Sequence, residues 1–197
     1  MNILTFKRNL LLEVYKPLAD LAKCPINTNG CTKMVFGEGN PNAAIMLIGE
    51  APGRDEDAAG KPFVGRSGKL LTECIEKAGL KREDVFITNI VKCRPPENRK
   101  PVPGEIAYYK PTLLKEIKIV RPIVICTLGS SALESLLNHP FSITKIRGRP
   151  IETTETEFAG IIIIPTIHPA YVLRNFAAKP DLQHDLVEVA RVAQLKK

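Results

Sequence analysis

Residues Ile45 to Gly68 read IMLIGEAPGRDEDAAGKPFVGRSG, an apolar run that breaks into an acidic, glycine-rich turn. The run from Ala43 to Ile48 is only about six residues long, and Gly49, Pro52 and Gly53 end it abruptly, so it reads as a fully buried strand. Glu50 then stands at the carboxyl end of a central strand. Ligands of open α/β sheets bind at that edge, which makes a carboxylate on a tight turn there a candidate for chemistry. An ordinary βα loop with solvated charges fits the same pattern.

Two phosphate motifs fail at this turn. Gly60 to Ser67 spaces its glycines like a P-loop, but Arg66 stands where the lysine belongs, and Gly68-Lys69 is followed by Leu70 rather than Ser or Thr. GEAPGRDED is not GxGxxG and puts acids where a pyrophosphate needs uncharged backbone. Neither an NTPase nor a dinucleotide fold is indicated.

Working outward, Phe6 to Ala22 carries a leucine-rich helical pattern and Cys24 to Asn42 shows no clear period. Downstream, Ser67 to Gly79 reads as a helix, Val85 to Val91 as a second apolar strand with Asn89 near its end, and Cys93 to Gly104 as a proline-rich loop. Glu105 to Val120 is helical, Pro122 to Leu128 a third strand, and Ser130 to Asn138 a helix opening from the Gly129-Ser130 turn. Residues 141 to 150 form a basic loop, Ile151 to Thr156 an edge strand, Ile161 to Ile167 a fourth buried strand, and Ala170 to Lys197 short helical pieces. Strands alternating with helices predict a three-layer α/β/α sandwich around a central, mainly parallel four-stranded sheet, within a single domain spanning residues 1–197. Such a sheet gathers Glu50, Asn89 and His168 along one edge, because each ends a different predicted strand.

At 197 residues and 44% hydrophobic content the chain can bury a packed core. No apolar run approaches the roughly 20 residues that span a bilayer, and early charges interrupt any signal-peptide pattern. The expectation is a soluble, intracellular protein. A net charge of +7 makes a polyanion a plausible partner. Arg94, Arg99 and Lys100 share the proline-rich loop, Lys145, Arg147 and Arg149 share a glycine turn, and Arg174 follows a histidine motif. The five cysteines are odd in number, which argues against a disulfide framework. Cys74 and Cys126 fall in apolar patterns and read as core, leaving Cys24, Cys31 and Cys93 as the metal candidates.

Five segments together carry a family resemblance: GEAPGRDED (49–57), GKPFVGRSG (60–68), TNIVKCRPPENRKP (88–101), SITKIRG (142–148) and HPAYVLR (168–174). In that order and near those spacings, the chain resembles a type-4 uracil-DNA glycosylase from about Cys24 to Arg174. The resemblance implies excision of uracil from single- or double-stranded DNA by hydrolysis of the N-glycosidic bond, leaving an abasic site. The expectation is a monomer acting in the cytoplasm with the nucleoid; any sliding-clamp contact is left open.

Roles for matched positions follow from it. Gly49, Glu50 and Ala51 form the turn beside base and sugar, Phe63 stacks on the flipped uracil, Asn89 pairs with its polar edge, and His168 faces O2. The chemistry accommodates each role. Extruding a nucleotide costs a few kcal/mol, and a flat phenyl face returns roughly 1–3 kcal/mol of stacking without reading base identity. An Asn carboxamide accepts from uracil N3–H and donates to O4, whereas cytosine inverts that pattern and leaves buried groups unpaired at about 1–3 kcal/mol each. Glu50 stabilises the cationic sugar or orients a water, and His168 donates to the departing uracil anion. Lys145, Arg147, Arg149 and Arg174 contact phosphates, which position the protein without specifying sequence. A non-catalytic module that recognises damaged DNA, and a nucleotide- or nucleoside-handling enzyme on the same sheet, are the alternatives.

The chain departs from the family in one respect. Type-4 enzymes hold a 4Fe-4S cluster with four cysteines, yet Leu21 occupies the first position and Tyr109 falls at or near the fourth, while Cys24 and Cys93 match the others. Cys31 is an additional thiol that could replace one ligand. Stable Fe–S sites normally use four thiolates, so the expectation is an absent or degenerate cluster. The hydrolysis needs no cofactor.

Overall fold

The computed structural model describes residues 2–26, 31–151, 153 and 155–195. Its strands are β1 (Glu38–Gly39), β2 (Ile45–Gly49), β3 (Phe86–Asn89), β4 (Val124–Leu128) and β5 (Ile162–Thr166). They form one sheet in the order β1-β3-β2-β4-β5. The four longer strands are mutually parallel, and the expected four-stranded sheet gains a fifth member because the two-residue β1 pairs antiparallel with β3 at the edge. Gly39 makes that pairing possible: its φ is +118°, and a Cβ there would meet the Val85 carbonyl oxygen at 2.0 Å. The edge strand expected over Ile151 to Thr156 is reduced to an isolated antiparallel bridge between Ile151 and Ile163, and Glu152 and Thr154 lie outside the described residues.

Alternation along the strands fills both faces of the sheet. Ile45 and Leu47 of β2 pack with α3 (Arg66–Lys77) and α8 (Lys179–Leu195) through Leu71, Ile75, Leu186 and Val189. Met46 and Ile48 face the other way, onto α1 (Ile3–Tyr15), α4 (Pro103–Val120) and α5 (Ser130–Leu137). The three-layer arrangement is therefore as the apolar runs predict. Two short helices were not expected as such: α2 (Arg54–Ala59) within the acidic turn and α6 (Ile143–Ile146) within the basic loop; the short helical pieces expected from Ala170 onward are α7 (Pro169–Arg174), directly after β5, followed by the single longer helix α8.

A buried polar network lies behind β3. Lys92 and Glu116 have fully buried side chains 2.7 Å apart. The Lys92 ammonium also donates to Thr88 Oγ1 at 2.6 Å and to the Asn89 carbonyl at 2.8 Å. Glu116 accepts from Tyr15 Oη at 2.7 Å and from the Thr88 hydroxyl. Burial pulls the Lys92 ammonium below its ordinary pKa while Glu116 opposes that pull. The network joins α1, α4 and the end of β3, and it holds the main chain that carries Asn89.

A third apolar cluster anchors the N-terminal segment. It contains Leu18, Cys24, Ile26, Cys31, Val91, Cys93 and Tyr109, with Leu21 packed against it. The odd cysteine count argues against disulfides, and the structure corrects that expectation: Cys31 is bonded to Cys93, their Cα atoms 5.7 Å apart. Three hydrogen bonds donated by backbone N–H groups fix the Cys31 loop in place. Asp57 Oδ1 accepts from the backbone N–H groups of Thr32 and Lys33 at 2.7 and 3.1 Å, and Val35 N–H donates to the Lys92 carbonyl at 2.7 Å.

Candidate active site

The parallel register brings the candidate residues to one rim. Gly49 of β2 lies opposite Asn89 of β3. The next peptide continues that pairing, with Ile90 N–H donating to the Gly49 carbonyl at 2.9 Å and Val91 N–H to the Glu50 carbonyl at 3.3 Å. Two strands away, β5 delivers His168 as the cap of α7. Glu50, Ala51, Phe63, Asn89, His168 and Arg174 all line one cavity of about 630 Å³. Gly49 sits beneath its wall.

Gly49 is required by space rather than by dihedral angle. A Cβ at this position would lie 2.5 Å from both Asn89 Oδ1 and Phe63 Cζ, so the carboxamide and the phenyl ring close directly over its bare Cα. Asn89 is almost fully buried, and its Oδ1 has no hydrogen-bond partner among the described residues. Buried acceptors are seldom left unpaired, because desolvation without compensation costs about 1–3 kcal/mol. An unsatisfied amide oxygen bordering a cavity therefore marks a place for a ligand donor.

Phe63 occupies a left-handed backbone conformation, φ 52°, and its ring centroid lies 5.8 Å from that of His168 at a 34° tilt. The two rings form adjoining walls. Gly68 makes the Phe63 turn possible, since a Cβ at 68 would overlap the Phe63 carbonyl group. Gly129, with φ +92°, ends β4 and would place a Cβ 3.3 Å from the His168 Cβ, so the floor beneath the histidine also needs a glycine.

The protonation of His168 is set by its surroundings. Its Nδ1 accepts a hydrogen bond from Ala170 N–H at 3.0 Å. Burial, with a smaller contribution from the nearby Arg174 charge, lowers its pKa from 6.5 to about 4. At neutral pH the ring is uncharged, and because Nδ1 is an acceptor the proton sits on Nε2. The site thus holds a neutral donor. The Glu50 carboxylate makes no hydrogen bond or ion pair among the described residues and is half-buried at the cavity rim.

The basic candidates divide. Lys145, Arg149 and Arg174 are exposed, with no side-chain hydrogen bond or ion pair among the described residues. Arg147 differs: its Nε and Nη2 bond the two oxygens of Asp185 at 3.0 and 2.9 Å, and Nη1 lies 3.3 Å from Asp181. Asp185 is buried and also accepts from Thr166 Oγ1 at 2.5 Å. The Arg147 fork thereby ties the basic loop to α8, an engagement that Lys145, Arg149 and Arg174 do not share. Arg99 is similarly engaged by Glu105 through paired bonds of 2.9 and 2.6 Å, although it still borders the cavity.

The cysteine positions fail as a four-thiolate centre. Leu21, Cys24, Cys93 and Tyr109 do converge in one cluster, as the family pattern implies. Two of the four offer no thiolate, and the sulfur of Cys93 is bonded to Cys31. Cys24 Sγ lies 2.9 Å from the Tyr109 hydroxyl, which also reaches Met34 Sδ at 3.7 Å. Burial, reinforced by Cys24, pushes the Tyr109 phenol well above its ordinary pKa. A neutral phenol and an apolar side chain fill the places of two ligands, so these four positions do not supply the four thiolates that such clusters normally use.

Several lining residues escape sequence reasoning. Ser130 and Ser131 border the cavity at the start of α5. Their position after the third strand is the signal that could have singled them out, as it did Glu50. Glu56, buried and also at the cavity, carries a signal of its own: it stands three residues after Gly53 at a helix start.

Residues 36–190 match the family model described as the uracil DNA glycosylase superfamily. The chain is 45% identical over 172 residues to the type-4 uracil-DNA glycosylase of Thermotoga maritima, covering 86% of this chain and 87% of that protein. It is 48% identical over 167 residues to the type-4 uracil-DNA glycosylase of Saccharolobus solfataricus, covering 82% and 77%. A third type-4 enzyme, from Archaeoglobus fulgidus, is 37% identical over 188 residues, covering 93% and 94%.

Proposed function

We propose, since this chain belongs to the uracil DNA glycosylase superfamily, a residue-level account of how it removes uracil from DNA. The protein is a monofunctional uracil-DNA glycosylase of the base excision repair class, hydrolysing the bond between uracil N1 and deoxyribose C1′ to leave an abasic site. The alternative of a non-catalytic binding module has no support.

The observation that carries the residue assignment is the unpaired Oδ1 of Asn89 at the same cavity as Phe63 and His168. In this reading uracil N3–H donates to that oxygen and the Asn89 amide donates to O4. The Phe63 ring stacks on the extruded base. His168 donates its Nε2 proton to O2 as negative charge grows there, acting as a preorganised neutral donor rather than as an acid. A buried imidazolium is disfavoured, so the hydrogen bond is given without proton transfer. Glu50 places its charge beside the sugar as C1′ becomes cationic and accepts the proton of the water that adds to C1′. The balance is one water consumed, a hydroxyl left on C1′, and uracil released as its anion, which takes a proton from solvent while the Glu50 carboxyl returns its own to solvent.

Lys145, Arg149 and Arg174 meet the phosphates flanking the extruded nucleotide. The pocket reads one nucleotide, so single and double strands both serve, and one copy of the chain in a single glycosylase domain supplies every side chain of the site. No helix among the described residues is long and apolar enough to cross a membrane; a DNA substrate places the enzyme with the nucleoid in the cytoplasm. The side chains perform hydrolysis without a cofactor, and the Cys24–Tyr109 contact with the Cys31–Cys93 bond holds the N-terminal segment in place of metal.

The test is a panel of oligonucleotides bearing uracil, thymine or cytosine, single- and double-stranded, treated with alkali after incubation. Strand breaks at uracil alone are expected, with Glu50→Ala losing far more cleavage than binding. Unaltered turnover in Glu50→Ala would remove this carboxylate from the mechanism.

A further inference from the structure

The aromatic wall of the pocket stands on an unfavourable backbone. Phe63 is a non-glycine residue at positive φ, a conformation that persists only where the surroundings over-determine it. Two charged side chains outside the proposed chemistry grip the peptide units on either side of it. On the carboxyl side, Glu56 Oε1 accepts from Val64 N–H at 2.9 Å and from Gly65 N–H at 2.8 Å. On the amino side, Arg82 Nη2 donates to the Pro62 carbonyl at 2.8 Å, while its Nη1 bonds Thr72 Oγ1 at 3.0 Å on α3.

Glu56 has a second attachment. Its other oxygen, Oε2, accepts from Gly53 N–H at 3.1 Å, within the turn that carries Glu50. One carboxylate therefore spans the catalytic turn and the stacking turn. The close approach depends on glycine, since a Cβ at Gly53 would fall 2.8 Å from Glu56 Oε2 and one at Gly65 would fall 3.2 Å from Oε1. Glu56 is 8% exposed, so these bonds are shielded from competing water.

We propose that Glu56 and Arg82 are positioning residues that clamp the Phe63 turn from both sides and fix its ring over the base pocket. The inference rests on the reading of Phe63 as the stacking residue. A carboxylate accepting three N–H groups cannot be replaced by an amide without turning one acceptor into a donor, so Glu56→Gln breaks the span while preserving size. A stack made equally in ground and transition states affects KM rather than kcat.

The experiment measures KM, kcat, the inhibition constant of free uracil and the melting temperature for Phe63→Ala, Glu56→Gln, Arg82→Met and the double variant Glu56→Gln/Phe63→Ala. Phe63→Ala is expected to raise the uracil inhibition constant by roughly 5- to 150-fold, the range for one base–aromatic stack. Glu56→Gln and Arg82→Met are expected to raise it by about tenfold within that range, with kcat nearly unchanged. In the double variant the Glu56 effect is expected to vanish, because no ring remains to be positioned. An unchanged inhibition constant in Phe63→Ala would overturn both the stacking reading and the clamp. A raised constant in Phe63→Ala with unchanged values in Glu56→Gln and Arg82→Met, or effects that multiply in the double variant, would overturn the clamp alone. Should Glu56→Gln not fold, Arg82→Met and its double with Phe63→Ala carry the same comparison.

Discussion

Replacing Gly49 by alanine adds one methyl group at the point where two proposed recognition elements meet. The new Cβ would lie 2.5 Å from Asn89 Oδ1 and 2.5 Å from Phe63 Cζ, whereas ordinary contact begins near 3.4 Å. Each group must retreat by about 1 Å, and a displacement of that size at a reacting constellation costs on the order of 10²-fold in rate. Neither can retreat freely. Asn89 is held through its carbonyl by Lys92, and the Phe63 turn is held by Glu56 and Arg82. The same crowding should lower stability by about 1–3 kcal/mol, typical of an overpacked core. Initial rates on a uracil-containing single-stranded oligonucleotide, with urea denaturation of the same samples, separate the two effects. A Gly49→Ala enzyme within twofold of the parent kcat/KM would refute the argument that Gly49 exists to let Asn89 and Phe63 close over it.

Three other perturbations test different parts of the structure. Because the folded-state pKa of His168 is about 4 against 6.5 unperturbed, the neutral ring favours folding fully above pH 6.5, and that contribution is lost as pH falls from 6.5 toward 4. Its imidazole NMR signals should hold still between pH 8 and about 5.5; titration near 6.5 would refute the burial-lowered pKa. Iron and sulfide analysis of anaerobically purified protein should find neither in the parent, while Leu21→Cys/Tyr109→Cys, with Cys31→Ser to free Cys93, should acquire a chromophoric cluster; stoichiometric iron in the parent would refute the donor argument. Lys92→Met leaves Glu116 buried and unpaired and should cost roughly 3–5 kcal/mol in urea denaturation, with part recovered in Lys92→Met/Glu116→Leu; a near-neutral single substitution would show that the pair does not hold the Asn89 main chain.

Short apolar runs flanked by Gly and Pro were enough to place four strands and their flanking helices, because a strand buried on both faces has no polar positions to disguise it. Strand ends then located Glu50, Asn89 and His168, and the resemblance added Phe63, which lies in no strand and has no periodicity to betray it. What local pattern could not supply was partnership. Arg147, Arg149 and Lys145 look alike in a basic loop, yet only Arg147 meets Asp185, contributed by a helix 38 residues later. Cys31 and Cys93 are separated by 62 residues, and nothing in either loop announces the other. The two-residue β1 is likewise too short to have a pattern.

The sequence by itself determined the α/β architecture, the sheet edge that gathers Glu50, Asn89 and His168, and the absence of two thiolates from the family's cluster positions, because each depends on residue type at a place along the chain. The tertiary structure alone decided which charges are free, that His168 is a neutral Nε2–H donor, and that Glu56 spans two turns. Those properties depend on burial and on partners distant in sequence, and a pKa or a hydrogen bond exists only once the chain has folded around it.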